Sequence, residues 1–354
     1  MELERYGHGG DLLTATEAFG RPEEDWLDYS SNMNPFGPPE VVGELMRERW
    51  RDIARYPDPA ARGLRNKLSQ AYGIPPESIL VGNGAAELID LVVRELRPAE
   101  TILARPSFTE YEDAVRKAGG RTIPEPLLRE CAFELSNAPD AGERTVFLGH
   151  PNNPTGRIVP ARVLDALRLS GTRMMLDEAF LDFLPDEEGI SYIRHAAESP
   201  RIQVIRSMTK FYAIPGIRLG FLVAHPDIVR RLKGAQTHWS VNFLAQLIGE
   251  AVLDERAYAE RTRAWLQEER PWLMGELSRL GLTVFPSDTN FLLVSLPGET
   301  GMDARRLQRA MARHGILIRD ASLFDGLDAS CFRLAIRLRR DNERLIRALK
   351  EALS

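Results

Sequence analysis

Between Glu77 and about Ala235, short β-rich runs alternate with amphipathic helical patterns, and this alternation restricts the fold more than any other feature. The runs are "SILVG", "TILAR", "TVFLGH", "RMMLDEA", "IQVIRS" and "RLGFLVA", with stretches such as "AAELIDLVVREL" and "TEYEDAVRKAG" between them. Strands separated by helices join through crossovers, not hairpins, so the pattern predicts an α/β domain with a mostly parallel sheet. In such sheets ligands gather at the carboxyl ends of the strands.

A second regime follows. From Phe243 to Leu280 the pattern is helical, and then "LTVFP", "TNFLLVSL", "ILIRD" and "CFRLAIR" interleave with helical stretches at 303–314 and 341–353. The chain has 354 residues, more than one hydrophobic core usually serves. The expected division is an N-terminal arm over 1–40 packing with the small domain, a large domain over 41–240 and a small α+β domain over 241–354. A net charge of −5 without a basic run argues against a nucleic-acid partner. Cys131 and Cys331 are far apart, match no metal-ligand spacing and read as reduced thiols. The start lacks a signal-like apolar core, and no apolar run approaches the roughly 18 residues of a membrane span. A cytoplasmic protein without a membrane or metal site is expected.

Several motifs fall at predicted strand ends. "GNGAAELI", 82–89, is a tight turn opening a helix at about Ala85, whose free N–H groups suit a phosphate. A structural turn without a ligand accounts for it equally well. In "GHPNNPTG", 149–156, Pro154 holds Asn153 extended, although a simple Asn/Pro turn has the same look. "MMLDEAF" ends a buried-looking strand on Asp177. "SMTK", 207–210, puts Lys210 after an apolar run, with Arg218 eight residues later. Lysine is rarely buried without a partner, and one near cations or apolar walls has a lowered pKa and becomes a usable nucleophile. Ser207 and Arg218 could hold an anion beside it. Phosphate turn, aromatic, Asn, Asp, Ser-x-x-Lys and Arg in this order match what pyridoxal 5'-phosphate requires.

On these residues the chain resembles the fold-type I pyridoxal-phosphate enzymes over essentially its whole length. The resemblance implies a large domain with a mostly parallel sheet plus a smaller α+β domain. It implies Lys210 as the Schiff-base lysine, Asp177 on the pyridine nitrogen, Asn153 near the ring oxygen and Phe108 of "RPSFTEY" stacked on the ring. Gly84, Ala85, Ala86, Ser207 and Arg218 correspond to the cofactor-phosphate cup. Tyr56 of "RYPD" corresponds to a tyrosine that reaches the phosphate of a neighbouring subunit, implying a homodimer. Where aminotransferases of the family usually carry tyrosine three residues after the aspartate, this chain has Phe180.

Two branches of that family compete, the histidinol-phosphate aminotransferases and the threonine-phosphate decarboxylases of cobalamin biosynthesis. "GHGGD", "DYSSNMNPFGPP", "DEAFLDF", "SMTKFYAIPGIRLG", "HWSVN" and "CFRLAIR" resemble the decarboxylases more. That resemblance implies Arg333 on the substrate carboxylate, with Arg319, His8 and Asn32 near the substrate phosphate. Read without it, His8 is an ordinary surface histidine. Strand alternation would put Arg337 on the side of Arg333, as a support for it. The expected substrate is a phosphorylated amino acid and the expected reaction a decarboxylation, with transamination as the alternative.

Overall fold

The structure is a computed structural model, and it describes residues 3, 9–298 and 301–353. Its strands begin with β1, Leu27–Asp28. Seven more build the large sheet: β2 Ile79–Gly82, β3 Glu100–Arg105, β4 Arg121–Pro126, β5 Thr145–Gly149, β6 Arg173–Asp177, β7 Ile202–Ser207 and β8 Gly220–Val223. The rest are β9 Thr283–Val284, β10 Phe291–Ser295, β11 Ile316–Leu317, β12 Arg319–Asp320 and β13 Cys331–Ala335.

The large sheet has the order β2-β8-β7-β6-β5-β3-β4, and only β8 runs against its neighbours. Its strands are buried on both faces, which is why they read as continuous apolar runs. Val146, Leu148, Met174 and Leu176 enter one core cluster, while Phe147 and Met175 enter the cluster on the opposite face. The edge strand β4, "RTIPEP", has no counterpart among the sequence-predicted strands. Its Pro124 and Pro126 cannot donate to a ladder and are tolerated because β4 has a neighbour on one side only.

The parallel register sets the ends of β3, β5, β6 and β7 at one rim, carrying Arg105, Gly149, Asp177 and Ser207. The end of β2, Gly82, and the start of β8, Gly220, lie at the same rim, where they pair. A second sheet, β12-β13-β10-β9, is antiparallel throughout, and β1 pairs with β11 in parallel. The arm thus attaches to the small unit through Leu27–Ile316 and Asp28–Leu317, and through helix Leu12–Phe19, whose Ala15 packs with Ala312 and Leu317. It then turns toward the rim, where the Asn34 N–H donates to the Lys210 carbonyl at 3.1 Å.

The change of core falls later than the expected division at 240. Helix Phe243–Val252 buries Ala245, Ile248 and Val252 in the cluster of the large sheet, against Leu64 and Leu68. The long helix Arg256–Arg279, next along the chain, buries Leu266, Leu273 and Leu277 with the small sheet. The two cores also interlock, since Leu293 and Cys331 pack with the first and Phe180 and Phe211 with the second. Among the described residues no helix is long and apolar enough to cross a membrane. Leu293 of β10 is fully buried at this junction. Leu293→Ala should cost about 2–5 kcal/mol, seen as a lower urea midpoint at unchanged slope.

Candidate active site

A cavity of about 480 Å³ opens at the rim, between the strand ends, the arm and the small sheet. Lys210 faces it from the one-turn helix Met208–Phe211 that follows β7. Its side chain is enclosed, with Nζ donating to Thr209 Oγ1 at 3.3 Å. Burial first, then the guanidiniums of Arg218 and Arg333, disfavour the ammonium, while Asp177 opposes them; the lysine pKa is pulled down to about 8.

Asp177, the last residue of β6, is buried, and burial pushes its carboxyl pKa up against the pull of its hydrogen bonds and of Lys210. Tyr111 Oη donates to Oδ2 at 2.7 Å, and the Ala179 N–H donates to Oδ1 at 3.0 Å. Tyr111 itself is fixed by stacking on Phe147, with ring centroids 4.2 Å apart. It was absent from the residues expected at the site. The available signal was its spacing: it lies one helical turn beyond Phe108, which caps the same helix and also lines the cavity.

The anion cup combines a helix start with a guanidinium. Helix Ala85–Leu96 begins at the cavity, with Ala85 and Ala86 lining it. Gly84 has φ +84°, and a Cβ there would lie 2.3 Å from Arg218 Nη2, so glycine is what lets the guanidinium close on the helix start. At Gly220 a Cβ would lie 2.9 Å from the Ala85 nitrogen. Arg218 adopts φ +61°, a left-handed backbone that is uncommon for arginine and aims it back at the turn. Ser207 and Thr209 complete the cup, their hydroxyls 2.8 Å apart. Thr209 was another residue missed in sequence.

The opposite wall comes from the small sheet and the arm. Arg319 of β12 and Arg333 of β13 sit directly across from each other, 4% and 6% exposed, and both line the cavity. The pair brings two guanidiniums to one wall of the cavity. Arg333 Nη1 donates to Asn153 Oδ1 at 2.5 Å and Nη2 to the Ser30 carbonyl at 2.6 Å, which fixes the guanidinium and turns the Asn153 side chain. Asn32 is buried and lines the same cavity, and its Oδ1 has no hydrogen-bond partner among the described residues. Phe180 lines the cavity, edge-on to Phe291 at 5.0 Å, and brings no hydroxyl.

Three expected residues stand apart. His8 lies outside the described residues. Tyr56 is 83% exposed against Trp239 and does not line this cavity. Arg337 does not support Arg333: β13 ends at Ala335, so the alternation stops, and Arg337 pairs with Asp341 and the Asp28 carbonyl instead.

Residues 24–349 match the model of the family "Aminotransferase class I and II". The chain is 37% identical to threonine-phosphate decarboxylase of Salmonella typhimurium, over 100% of this chain and 98% of that protein. Among solved structures, histidinol-phosphate aminotransferase from Clostridium acetobutylicum matches with TM-score 0.84 and 30% identity, covering 92% of this chain and 99% of its own. L-threonine-O-3-phosphate decarboxylase from Porphyromonas gingivalis matches with TM-score 0.82 and 28% identity, covering 91% and 98%. The chain belongs to the class I and II aminotransferase family. It has the fold-type I architecture of that family.

The site fits pyridoxal 5'-phosphate. The glycine cradle at Gly84 could take a phosphate, the buried Asp177 carboxylate could serve a ring nitrogen, and the Lys210 amine lines the same cavity. Because an ammonium cannot attack a carbonyl, capture of the aldehyde by cofactor-free protein should accelerate with pH through a midpoint near 8, followed by the visible absorbance. Gly84→Ala should weaken cofactor binding in the same titration, since it combines a blocked approach with a disfavoured φ.

Proposed function

We propose that the protein decarboxylates L-threonine O-3-phosphate to (R)-1-aminopropan-2-ol O-phosphate and carbon dioxide, a step of cobalamin biosynthesis. The observation that carries this reading is the facing pair Arg319–Arg333 in one cavity with Lys210: two anion anchors for a substrate with two anions. The Salmonella relative and Phe180 support it.

The bound cofactor supplies an electron sink for the pair released when a bond at the substrate Cα breaks. Lys210 would hold the cofactor through its amine, and the lowered pKa makes that amine available for attachment near neutral pH. Asp177, oriented by Tyr111, holds the proton at the ring nitrogen. Arg218, Ser207 and the start of helix Ala85–Leu96, all at the cavity, would hold the cofactor phosphate, with Phe108 for the ring and Asn153 for the ring oxygen. Arg333 takes the substrate carboxylate, and its planar fork, already steadied by Asn153 and Ser30, sets the carboxylate's direction. Arg319 with Asn32 and His8 receives the substrate phosphate. Holding both anions fixes rotation about the amine-bearing carbon, and so selects which of its bonds is broken. Departure of carbon dioxide leaves Cα in need of a proton, and Lys210 is the titrating group placed to deliver it.

The active form is a homodimer in which Tyr56 reaches the neighbouring cofactor phosphate. Support comes from exposed large apolar side chains, Trp50, Ile53, Tyr56 and Trp239, of which Tyr56 and Trp239 pack on each other. Light scattering of the protein should give twice the chain mass.

Purified protein supplied with threonine phosphate and no oxo-acid should release carbon dioxide. Turnover that instead requires 2-oxoglutarate and forms glutamate from histidinol phosphate would show an aminotransferase. Serine phosphate, one methyl smaller, should react with kcat/KM about 10- to 200-fold lower. Arg333→Ala should lower kcat/KM by roughly 100- to 1,000-fold. Lys210→Ala should abolish the borohydride-reducible visible band.

A further inference from the structure

Behind the cavity, on the far side of β6 and β7, lies a buried ionic cluster with no part in the roles assigned so far. Arg206 is 1% exposed and Glu178 fully buried. Arg206 Nη1 donates to Glu178 Oε2 at 3.2 Å, and Nη2 donates to Asp182 Oδ1 at 2.8 Å and Glu187 Oε1 at 2.7 Å. Glu178 also accepts from Ser191 Oγ at 2.6 Å and from the Tyr192 N–H at 2.8 Å. At the far edge Arg263, from helix Arg256–Arg279, reaches Glu187 at 2.8 Å.

Glu178 immediately follows Asp177, and Arg206 immediately precedes Ser207. Side chains alternate along neighbouring strands, so Asp177 and Ser207 face the cavity while Glu178 and Arg206 meet behind it. The Glu178 N–H donates to the Ile205 carbonyl at 2.8 Å, keeping the two strand ends in register there. The two front residues serve opposite ends of the cofactor, ring nitrogen and phosphate.

We propose that the Arg206–Glu178 pair is a positioning element for the cofactor: it locks the strand end bearing Asp177 to the strand end bearing Ser207. The lock sets the span between the carboxylate and the hydroxyl that the cofactor must bridge. The proposal rests on the pyridoxal-phosphate reading of the site. A purely stabilising role is a poor account of such a pair, because burying two charges costs about as much as their attraction returns, and apolar replacements are often neutral. What a buried pair supplies over an apolar contact is direction and register.

The test compares three variant holoenzymes, Glu178→Gln, Arg206→Lys and Arg263→Met. Dissociation of pyridoxal phosphate is followed by visible absorbance, and melting is recorded with and without excess cofactor. Glu178→Gln keeps an oxygen for the Tyr192 N–H but removes the one of Arg206's three carboxylate partners that lies on the Asp177 strand end. It should raise the cofactor Kd about 10- to 100-fold, the range found when supporting partners of a site are removed, and shrink the melting increment given by the cofactor. Arg206→Lys, which keeps the charge and loses the fork, should fall between Glu178→Gln and wild type. Arg263→Met, at the remote edge of the cluster, should lower the melting temperature and leave Kd unchanged. The proposal is overturned if Glu178→Gln melts lower yet keeps the wild-type Kd, or if Arg263→Met weakens the cofactor equally. Should Arg206→Lys fail to fold, Glu178→Gln and Arg263→Met decide between these outcomes. A wild-type protein that binds no pyridoxal phosphate would instead overturn the reading of the site itself.

Discussion

One enclosed lysine governs the chemistry of this molecule. Lys210 is surrounded by a buried carboxylate, Asp177, and by two guanidiniums, Arg218 and Arg333, and a third, Arg319, stands across from Arg333. Among the described residues the cavity lining carries Lys210, Arg218, Arg319 and Arg333 beside Asp177 and Glu110. The arginines stand at two separate places, Arg218 by the helix start at Ala85, and Arg319 and Arg333 on the small sheet. Burial, with the charges of Arg218 and Arg333, lowers the lysine pKa and so readies its amine as a nucleophile.

The scaffold divides these duties. Groups assigned to the cofactor, Asn153, Asp177, Ser207 and Lys210, come from successive parallel strand ends, where the hydrogen-bonded register sets their spacing. Groups assigned to the substrate, Arg319 and Arg333, come from the antiparallel sheet, and Asn32 comes from the arm. Arg333 joins the two sets, since one guanidinium holds both Asn153 and the Ser30 carbonyl. A shift of the small sheet relative to the large one therefore reaches the cofactor wall through a hydrogen bond as well as through packing.

The large sheet was legible in the sequence because burial on both faces writes each strand as an unbroken apolar run. The edge strand β4 escaped because its prolines and half-exposed side chains erase that signature. The division at 240 was misplaced for a related reason: an amphipathic helix shows which face is buried, not which core buries it, and Phe243–Val252 turns its face to the large sheet. At the site, residues at strand ends were legible through their neighbours in sequence, Gly84 through its turn and Lys210 through its placement after an apolar run. Tyr111 meets Asp177 across 66 residues of chain, a distance that only folding closes, whereas Thr209 lies within the Ser207–Lys210 stretch and its hydroxyl simply went unread. Arg337 was misassigned because alternation was extended beyond the last residue of β13.

Phe180 connects these levels. It stands three residues beyond Asp177, lines the cavity from the large unit, and packs edge-on to Phe291 in the core of the small one. A phenol there would present a hydroxyl to the cavity, and a phenyl ring presents only carbon. The wall beside the cofactor is thereby drier, while Asn153 stays the polar side chain held toward the ring by Arg333. Asn153 takes its orientation from the same guanidinium that is assigned to the substrate carboxylate, so the two assignments share one side chain. Reaction choice in this fold then depends less on the lysine and the aspartate than on where Arg319 and Arg333 place two anions around a common carbon.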